Sequence, residues 1–156
     1  MQTNHRKDRL TFYFLPPNLM FFNSQAGSEK PFLDLCLAPS TSGSQVLATS
    51  TDRTMTLYDF RSSGLSSSVS TFFHPSTPSC VTAGDNPSSQ QVITGSYDGT
   101  VRLWDLRSSK GALAAFKAFD GSKKVLSVSW SKSLVAIGGE GGLSVWKVGE
   151  DAESSL

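Results

Sequence analysis

The residues best suited to chemistry in this chain of 156 residues are two histidines and two cysteines. His74 could act with Asp98, because a histidine beside a carboxylate is a common acid–base pair. No nucleophile with a supporting motif accompanies them, and the other histidine, His5, lies close to the N-terminus. Cys36 and Cys80 are too few for a zinc site or a disulfide framework, so we expect buried free thiols in a reducing intracellular compartment. The sequence therefore predicts a protein that is not an enzyme, with no catalytic residue, no metal and no cofactor.

Composition favours an all-β fold and gives no sign of a charged partner. The chain has 14 basic and 13 acidic side chains, and its net charge of +1 gives no reason to expect direct contact with nucleic acid or a membrane. Thirteen glycines and 10% aromatic residues suit short strands joined by tight turns. The length suits a single domain.

The first 30 residues imitate a secretory signal peptide. Basic residues precede an apolar stretch over residues 10–22. However, Asp8 interrupts the basic segment, and Pro16 and Pro17 divide the apolar stretch, which is shorter than the roughly 20 residues that span a membrane. We expect residues 1–30 to be a poorly ordered extension or a misassigned start.

An internal repeat is the main signal. Residues 47–62 (LATSTDRTMTLYDFRS) align without a gap to residues 93–108 (ITGSYDGTVRLWDLRS), 46 positions further on. The identical pairs are Ser50 and Ser96, Asp52 and Asp98, Thr54 and Thr100, Leu57 and Leu103, Asp59 and Asp105, Arg61 and Arg107, and Ser62 and Ser108. A weaker third copy, residues 135–148 (VAIGGEGGLSVWKV), follows at an offset of 42 and carries Glu140 in place of the turn aspartate.

Each repeat predicts a four-stranded antiparallel unit. In the second repeat, residues 91–96 and 101–105 form a hairpin around the turn 97–100, which has the Asp-Gly chemistry of tight turns. A strand at residues 79–83 precedes this hairpin, and an outer strand at residues 112–119 follows it. The matching first strands of the other repeats are residues 32–38 and 125–130, and the outer strand of the first repeat is residues 67–73.

The segment GSYDGTVRLWD, from Gly95 to Asp105, resembles the signature of the WD-repeat family, whose repeats are the blades of a β-propeller. The offsets of 46 and 42 are also close to the family's usual length of about 40–45 residues per blade. The resemblance implies an all-β, partial WD-repeat propeller of about three four-stranded blades, approximately residues 31–73, 74–119 and 120–148, with a tail at residues 149–156.

The resemblance also implies a buried hydrogen-bond relay in the second blade. It would join His74, a strand hydroxyl from Thr94 or Ser96, the turn carboxylate of Asp98 and the indole of Trp104. The carboxylate would accept hydrogen bonds from backbone amides and from the histidine, and the indole N–H would donate to the hydroxyl. We expect this relay to be structural rather than catalytic.

The relay of the first blade is expected to be incomplete. Ser50 and Asp52 are present, but Tyr58 replaces the tryptophan and no matching histidine is evident.

Three blades are too few for a closed propeller, which typically has four to eight. We therefore expect a truncated or misannotated member of a longer protein, which would expose unpaired strand edges and would self-associate or dock with missing blades.

Several segments are similar to one WD-repeat subfamily, the WD-repeat subunit of the nucleolar complex that contains pescadillo and the block-of-proliferation protein. They are Lys124 to Trp130 (KVLSVSW), the Gly138 to Glu140 turn, Phe32 to Asp34, Ser50 to Thr54 and Tyr58 to Arg61. The resemblance implies a non-catalytic scaffold for large-subunit rRNA maturation and 60S assembly, located in the nucleus and nucleolus. Its partners would be proteins in a pre-ribosomal particle, with no small-molecule substrate.

Two alternatives stay open at this point. Trp104 to Arg107 (WDLR) and its echo Tyr58 to Arg61 (YDFR) resemble the box with which substrate receptors dock on the adaptor of cullin ubiquitin ligases. Another WD-repeat scaffold, including a cytoplasmic one, is the second alternative.

Four side chains are candidate partner contacts. Arg53 and Tyr97 lie in predicted hairpin turns and belong to residue types enriched in interfaces. Arg61 and Arg107 follow the third strand of their blades, on the opposite face.

Overall fold

The computed structural model describes residues 11–14, 20–23, 30–39, 43–61, 68–86 and 88–148, with the backbone alone for the first two ranges. Every regular element in these ranges is a β-strand, so the predicted all-β class is confirmed. Strands β1 (Thr11–Phe14) and β2 (Met20–Asn23) pair antiparallel. The expectations for the rest of residues 1–29 and for the tail lie outside the described residues.

The remaining strands form three consecutive antiparallel sheets, which we call blades 1, 2 and 3. Within each blade the strands pair in chain order. Blade 1 contains β3 (Phe32–Leu37), β4 (Gln45–Ser50), β5 (Thr54–Asp59) and β6 (Ser68–Phe73). Blade 2 contains β7 (Pro78–Ala83), β8 (Gln91–Ser96), β9 (Thr100–Asp105) and β10 (Ala114–Lys117). Blade 3 contains β11 (Val125–Ser131), β12 (Leu134–Gly139) and β13 (Gly142–Lys147), which are three strands within the described residues where four were expected.

The outer strand of blade 2 is shorter than the sequence indicated. The prediction covered residues 112–119, whereas β10 has four residues. Backbone hydrogen bonds from Leu113 to Leu103 and from Ala118 to Gly99 continue the pairing just beyond each end of β10. Beyond them the chain turns at Gly121, whose φ of 74° lies in the left-handed region.

The hairpin turns of blades 1 and 2 share one geometry. Each has three residues, 51–53 and 97–99, and the third residue has positive φ: 69° at Arg53 and 75° at Gly99. The packing around Gly99, in the turn of blade 2, leaves no room for a side chain. A Cβ on Gly99 would lie 2.6 Å from the carbonyl oxygen of Lys123. The turn of blade 2 therefore packs directly against the segment that enters blade 3.

Two hydrophobic cores hold the blades together, and each lies between neighbours rather than inside one blade. Alternation along the strands sends successive side chains to opposite faces, so blade 2 contributes to both cores. The core between blades 1 and 2 contains Ala38, Leu47, Met55, Leu57, Phe72, Val81, Val92, Trp104 and Leu106. The core between blades 2 and 3 contains Cys80, Ile93, Val101, Val125, Val135 and Ile137.

Polar contacts between the first strands of successive blades reinforce these cores. The Asp34 carboxylate accepts a hydrogen bond from the backbone N–H of Val81 at 2.9 Å, which joins blade 1 to blade 2. The Ser79 hydroxyl donates to the carbonyl oxygen of Val125 at 2.6 Å, which joins blade 2 to blade 3. The position of each blade is thus fixed by the blade before it.

Candidate interaction scaffold and its hydrogen-bond network

The strand register of blade 2 brings Trp104 and Thr94 together. Thr94 on β8 lies opposite Arg102 on β9, so Trp104, two residues further along β9, is its diagonal neighbour on the same face. His74 reaches this pair from the loop between β6 and β7, where its backbone N–H is bonded to the carbonyl of Arg53 at 2.9 Å. All three side chains are buried against blade 1.

These three side chains form a continuous hydrogen-bond chain, which we call the indole network (Trp104, Thr94 and His74). The indole N–H of Trp104 donates to the Thr94 hydroxyl oxygen at 2.9 Å. His74 Nε2 lies 2.9 Å from the same oxygen, and His74 Nδ1 lies 3.2 Å from the carbonyl oxygen of Phe72. An indole N–H only donates and a carbonyl only accepts, so the Thr94 hydroxyl donates to Nε2 and Nδ1–H donates to Phe72.

The network requires a neutral histidine. A protonated His74 would be a donor at both nitrogens, so the Thr94 proton would lose its acceptor. Burial lowers the pKa of His74 from 6.5 to about 4, and the nearby charge of Arg102 also lowers it. The ring therefore carries no charge at neutral pH and lies 4.5 Å from the Trp104 ring, centroid to centroid.

The turn aspartate is not the partner of His74, and the expected contact between their side chains is wrong. Both ring nitrogens of His74 are occupied by Phe72 and Thr94. Asp98 pairs instead with Arg102, whose Nη2 lies 2.7 Å from Oδ2. The Asp98 carboxylate also accepts from the backbone N–H of Thr100 at 3.0 Å, as the sequence suggested for backbone amides.

Arg102 is the functional residue that the sequence reasoning missed. Its side chain is 9% exposed, and its Nη1 also donates to the Ser96 hydroxyl at 3.1 Å. Burial acts to raise the pKa of Asp98, but hydrogen bonds from Arg102 and Thr100 outweigh it and the pKa lies below its ordinary value. The alternation of side chains along the strand could have identified Arg102, because it places Arg102 on the same buried face as Trp104. A charged group on a buried face needs a partner.

Blade 1 has no counterpart of the indole network, because Ala48 occupies the position of Thr94. The residues expected in its relay have separate partners. Asp52 accepts from the Thr54 hydroxyl at 2.6 Å, and the Ser50 hydroxyl donates to the carbonyl of Pro31 at 3.1 Å. Tyr58 is half-buried and packs edge-on against Phe32. Burial raises the pKa of its phenol.

Blade 3 replaces the network with simpler contacts. The indole N–H of Trp146 donates to the Ser144 hydroxyl on its own strand at 2.8 Å. The Phe116 ring lies 4.3 Å from the Trp146 ring, much as His74 lies beside Trp104. At the turn, Glu140 accepts from the backbone N–H of Lys124 at 2.9 Å, and this hydrogen bond lowers the pKa of its carboxyl.

The hairpin turns and the loops between blades line one edge of the structure, which we call the turn rim (residues 51–53, 74–77, 97–99, 118–124 and 140–141). Backbone hydrogen bonds link Tyr97 to Thr77 and Glu140 to Lys124. Tyr97 is 38% exposed, and the Lys124 ammonium lies 5.5 Å from the centre of its ring. Arg53 is also exposed on this rim. The turn rim thus presents an aromatic ring and cationic side chains on a backbone that is held by hydrogen bonds between neighbouring segments.

The other two candidate contacts lie at the opposite ends of the third strands. Arg61 is bound to Asp59, with Nη2 2.8 Å from Oδ2, and Arg107 makes the same pair with Asp105. Hydrogen bonds from these arginines lower the pKa of both aspartates, that of Asp105 to about 2. Both guanidinium groups remain largely exposed, and each is held by the carboxylate of its own blade.

The two thiols lie in or against the hydrophobic cores. Burial raises the pKa of the Cys36 thiol to about 12, with a smaller effect from Asp34, and burial also raises the pKa of the Cys80 thiol. Both cysteines are free; Cys80 is buried and Cys36 only partly so. In the described part of the chain, no three His, Cys, Asp or Glu side chains are grouped so that they could hold a metal ion. No helix there is long and apolar enough to cross a membrane.

Comparison with known proteins agrees with this geometry. The family described as WD domain, G-beta repeat, matches residues 63–105, which end at the Trp104-Asp105 signature. The chain contains a WD repeat. The three antiparallel sheets are consistent with a partial WD-repeat propeller, as the resemblance implied.

Two curated relatives extend the similarity over most of the chain. One, Ribosome biogenesis protein YTM1 of Coprinopsis cinerea, is 56% identical over 130 residues, which are 83% of this chain and 28% of the relative. The other, of the same name from Laccaria bicolor, is 60% identical over 127 residues, 80% of this chain and 27% of the relative. The chain therefore spans little more than a quarter of the length of these relatives.

Proposed function

We propose that this chain is a non-catalytic WD-repeat scaffold in ribosome biogenesis, acting in large-subunit rRNA maturation and 60S assembly. The observation that carries the proposal is the identity of 56% and 60% to two proteins named Ribosome biogenesis protein YTM1. Neither name belongs to the cullin ligase class, and the arginines of the WDLR and YDFR boxes are paired with carboxylates of their own blades.

The site geometry supports a scaffold because its polar groups hold the blades in place. The indole network joins two strands of blade 2 to the loop arriving from blade 1, and Asp98 and Arg102 brace the adjoining turn. His74 is neutral, and the thiols have raised pKa values. These groups are suited to fixing a surface and poorly suited to nucleophilic or acid–base chemistry.

The turn rim is the proposed contact surface, with Tyr97 and Arg53 as its principal contacts. Tyrosine and arginine contribute disproportionately to protein interfaces. The partners proposed are pescadillo and the block-of-proliferation protein within a pre-ribosomal particle, which implies location in the nucleus and nucleolus.

Copurification tests this proposal. The tagged full chain should recover both proposed partners together with large-subunit precursors, and a fluorescent fusion should concentrate in the nucleolus. Tyr97→Ala with Arg53→Ala should reduce recovery. Lys110→Ala, in the exposed loop between β9 and β10 at the opposite end of blade 2, is the control and should not. Recovery of a cullin adaptor in place of the two partners would overturn the proposal. So would equal recovery by the rim variant and the control.

A further inference from the structure

We propose that a cleft between blades 2 and 3 binds an arginine side chain from an extended segment of a partner protein. We call it the Trp130 cleft (residues 84–86, Gln91, Trp130 and Lys132). Its volume is about 370 Å³, and it lies between the loop that follows β7 and the turn that follows β11, at the end of the blades opposite the turn rim. Because the proposed function places its contacts on the turn rim, neither proposal depends on the other.

The cleft contains an aromatic ring that packs against bare backbone. A Cβ on Gly84 would lie 3.3 Å from three atoms of the Trp130 ring, so the ring contacts the backbone at Gly84 directly. The indole N–H is already used, since it donates to the carbonyl oxygen of Lys132 at 3.1 Å. The part of the ring that lines the cleft is therefore an apolar surface with no donor left to satisfy.

The matching place between blades 1 and 2 is closed. Ala38, which corresponds to Gly84 at the repeat offset of 46, is buried in the core there. The Gln90 side chain reaches across from blade 2 and donates to the carbonyl oxygen of Pro39 at 2.6 Å. The Trp130 cleft is thus a feature of one junction and not of the repeat.

Blade 3 orients a carboxylate in the cleft. Asp85 Oδ2 accepts hydrogen bonds from the Ser131 hydroxyl at 2.9 Å and from the backbone N–H of Lys132 at 2.8 Å. The bond from Lys132 lowers the pKa of the Asp85 carboxyl, so the group is charged at neutral pH. Among the described residues, none donates to Asp85 Oδ1. One oxygen of a fixed negative charge is therefore open to a ligand.

An aromatic surface beside an open carboxylate fits an arginine. A guanidinium group is planar and permanently charged, stacks on aromatic rings and donates to carboxylates through several N–H groups. A lysine ammonium is more strongly hydrated and gains less from the ring. Lys132 also lines the cleft, but its ammonium makes no ion pair with a described residue and lies on an exposed turn, from which it can point into solvent.

Two side-chain amides favour an extended segment over a free cation. Gln91 is half-buried, and its side-chain amide has no hydrogen-bond partner among the described residues. The Asn86 Oδ1 accepts from the backbone N–H of Ser88 at 3.0 Å, which leaves the amide nitrogen of Asn86 available as a donor. Such amides donate to and accept from a peptide backbone. The occupant is therefore an arginine carried by a protein segment.

A nuclear magnetic resonance titration of the full chain tests the cleft. The probe is the peptide acetyl-Gly-Arg-Gly-amide, and the signal is the indole N–H resonance that Trp130→Phe removes. This resonance should move saturably. The citrulline peptide has nearly the same shape without the charge and should bind about tenfold more weakly, as expected for the loss of a hydrogen bond between charged groups. The lysine peptide should also bind more weakly than the arginine peptide.

Four results with the unaltered chain would overturn the proposal. They are the absence of saturable movement, equal binding of the arginine and citrulline peptides, binding of the lysine peptide as tight as that of the arginine peptide, and tighter binding of acetyl-Gly-Glu-Gly-amide. Methylguanidinium that binds as tightly as the arginine peptide would show a site for a free cation and would overturn the choice of a protein segment.

Three variants separate the charge of Asp85 from other effects. Asp85→Asn keeps an acceptor for Ser131 and Lys132 and should weaken binding of the arginine peptide about tenfold. Asp120→Asn removes the same charge from an exposed position on the turn rim and is the matched control, which should bind normally. Lys132→Gln should not weaken binding. Near-ultraviolet circular dichroism of each variant should match the unaltered chain.

Two results with folded variants contradict the site. Equal affinity of Asp85→Asn and Asp120→Asn would show that the open carboxylate oxygen does not contact the ligand. Weaker binding by Lys132→Gln would show that the cleft takes an anion. The citrulline comparison uses the unaltered chain, so it decides the matter even where a variant fails to fold.

Discussion

Removing one hydroxyl group from the indole network should destabilise the protein measurably. Thr94 is fully buried, and its oxygen is the common partner of the Trp104 indole and His74 Nε2, each at 2.9 Å. Thr94→Val preserves the shape of the side chain but leaves both groups without a partner. A buried group left unsatisfied costs roughly 1–3 kcal/mol, so we expect a loss of at least about 2 kcal/mol.

Urea denaturation, followed by tryptophan fluorescence, measures this loss as a change in the free energy of unfolding. Thr82→Val is the matched control, because Thr82 is only partly buried and its hydroxyl makes a single long bond of 3.5 Å to Ala83. We expect less than about 0.5 kcal/mol for the control, as for other substitutions away from buried features. Thr94→Ser should retain most of the stability. If Thr94→Val cost no more than Thr82→Val, the assigned hydrogen bonds would not contribute as argued.

Three further predictions concern blade 2. The pKa of His74 in the folded chain is about 4, below the ordinary 6.5 of the unfolded chain. As the pH falls, the unfolded chain therefore binds the proton first. The free energy of unfolding should be highest above pH 6.5 and should decrease as the pH approaches 4. The loss is roughly 3 kcal/mol at about 1.4 kcal/mol per pKa unit; urea titrations across this range should show it, and His74→Gln should flatten the profile. Gly95→Ala should lower the melting temperature, because a Cβ there would lie 2.7 Å from the Cys80 sulfur and overlap the side chain of Val125; an unchanged melting temperature would contradict this packing. Asp98→Ala should cost about 1–3 kcal/mol by leaving Arg102 unpaired, and Arg102→Met in the same chain should recover part of it in thermal melts; equal stability of the single and double variants would argue against the pair.

Blade architecture follows from local patterns that the sequence displays directly. The Asp-Gly turn at residues 97–100, flanked by alternating strands, predicted the hairpin of β8 and β9 to within one residue. Turn chemistry and alternation depend on neighbours in the chain, so they can be identified before any tertiary contact is known.

The hydrogen-bond partners of buried polar groups were harder to predict, because they depend on the strand register and on how deeply each side chain is buried. The resemblance suggested Asp98 for His74, but the loop before β7 places the histidine against Thr94. Arg102, on β9 four residues after Asp98, binds the Asp98 carboxylate instead. Which of these side chains bind each other depends on distances that exist only once the sheet has formed.

The bulges in the first strands also escaped prediction. Each blade shifts register near the start of this strand, between Phe32 and Asp34, between Pro78 and Cys80, and between Val125 and Ser127. No shared residue type marks these positions, and the extra residue of a bulge is defined by the pairing with the neighbouring strand, which the sequence does not display.

Exchange of the matched segment in the Coprinopsis cinerea relative tests the central claim most directly. That relative is 56% identical over 130 residues, so this chain can replace the corresponding 28% of it. The account predicts that the chimera sustains normal amounts of 60S subunits in sucrose gradients, and that Thr94→Val in the chimera lowers them. A chimera that folds and accumulates but leaves 60S assembly deficient would contradict the claim that this chain is a scaffold for ribosome biogenesis.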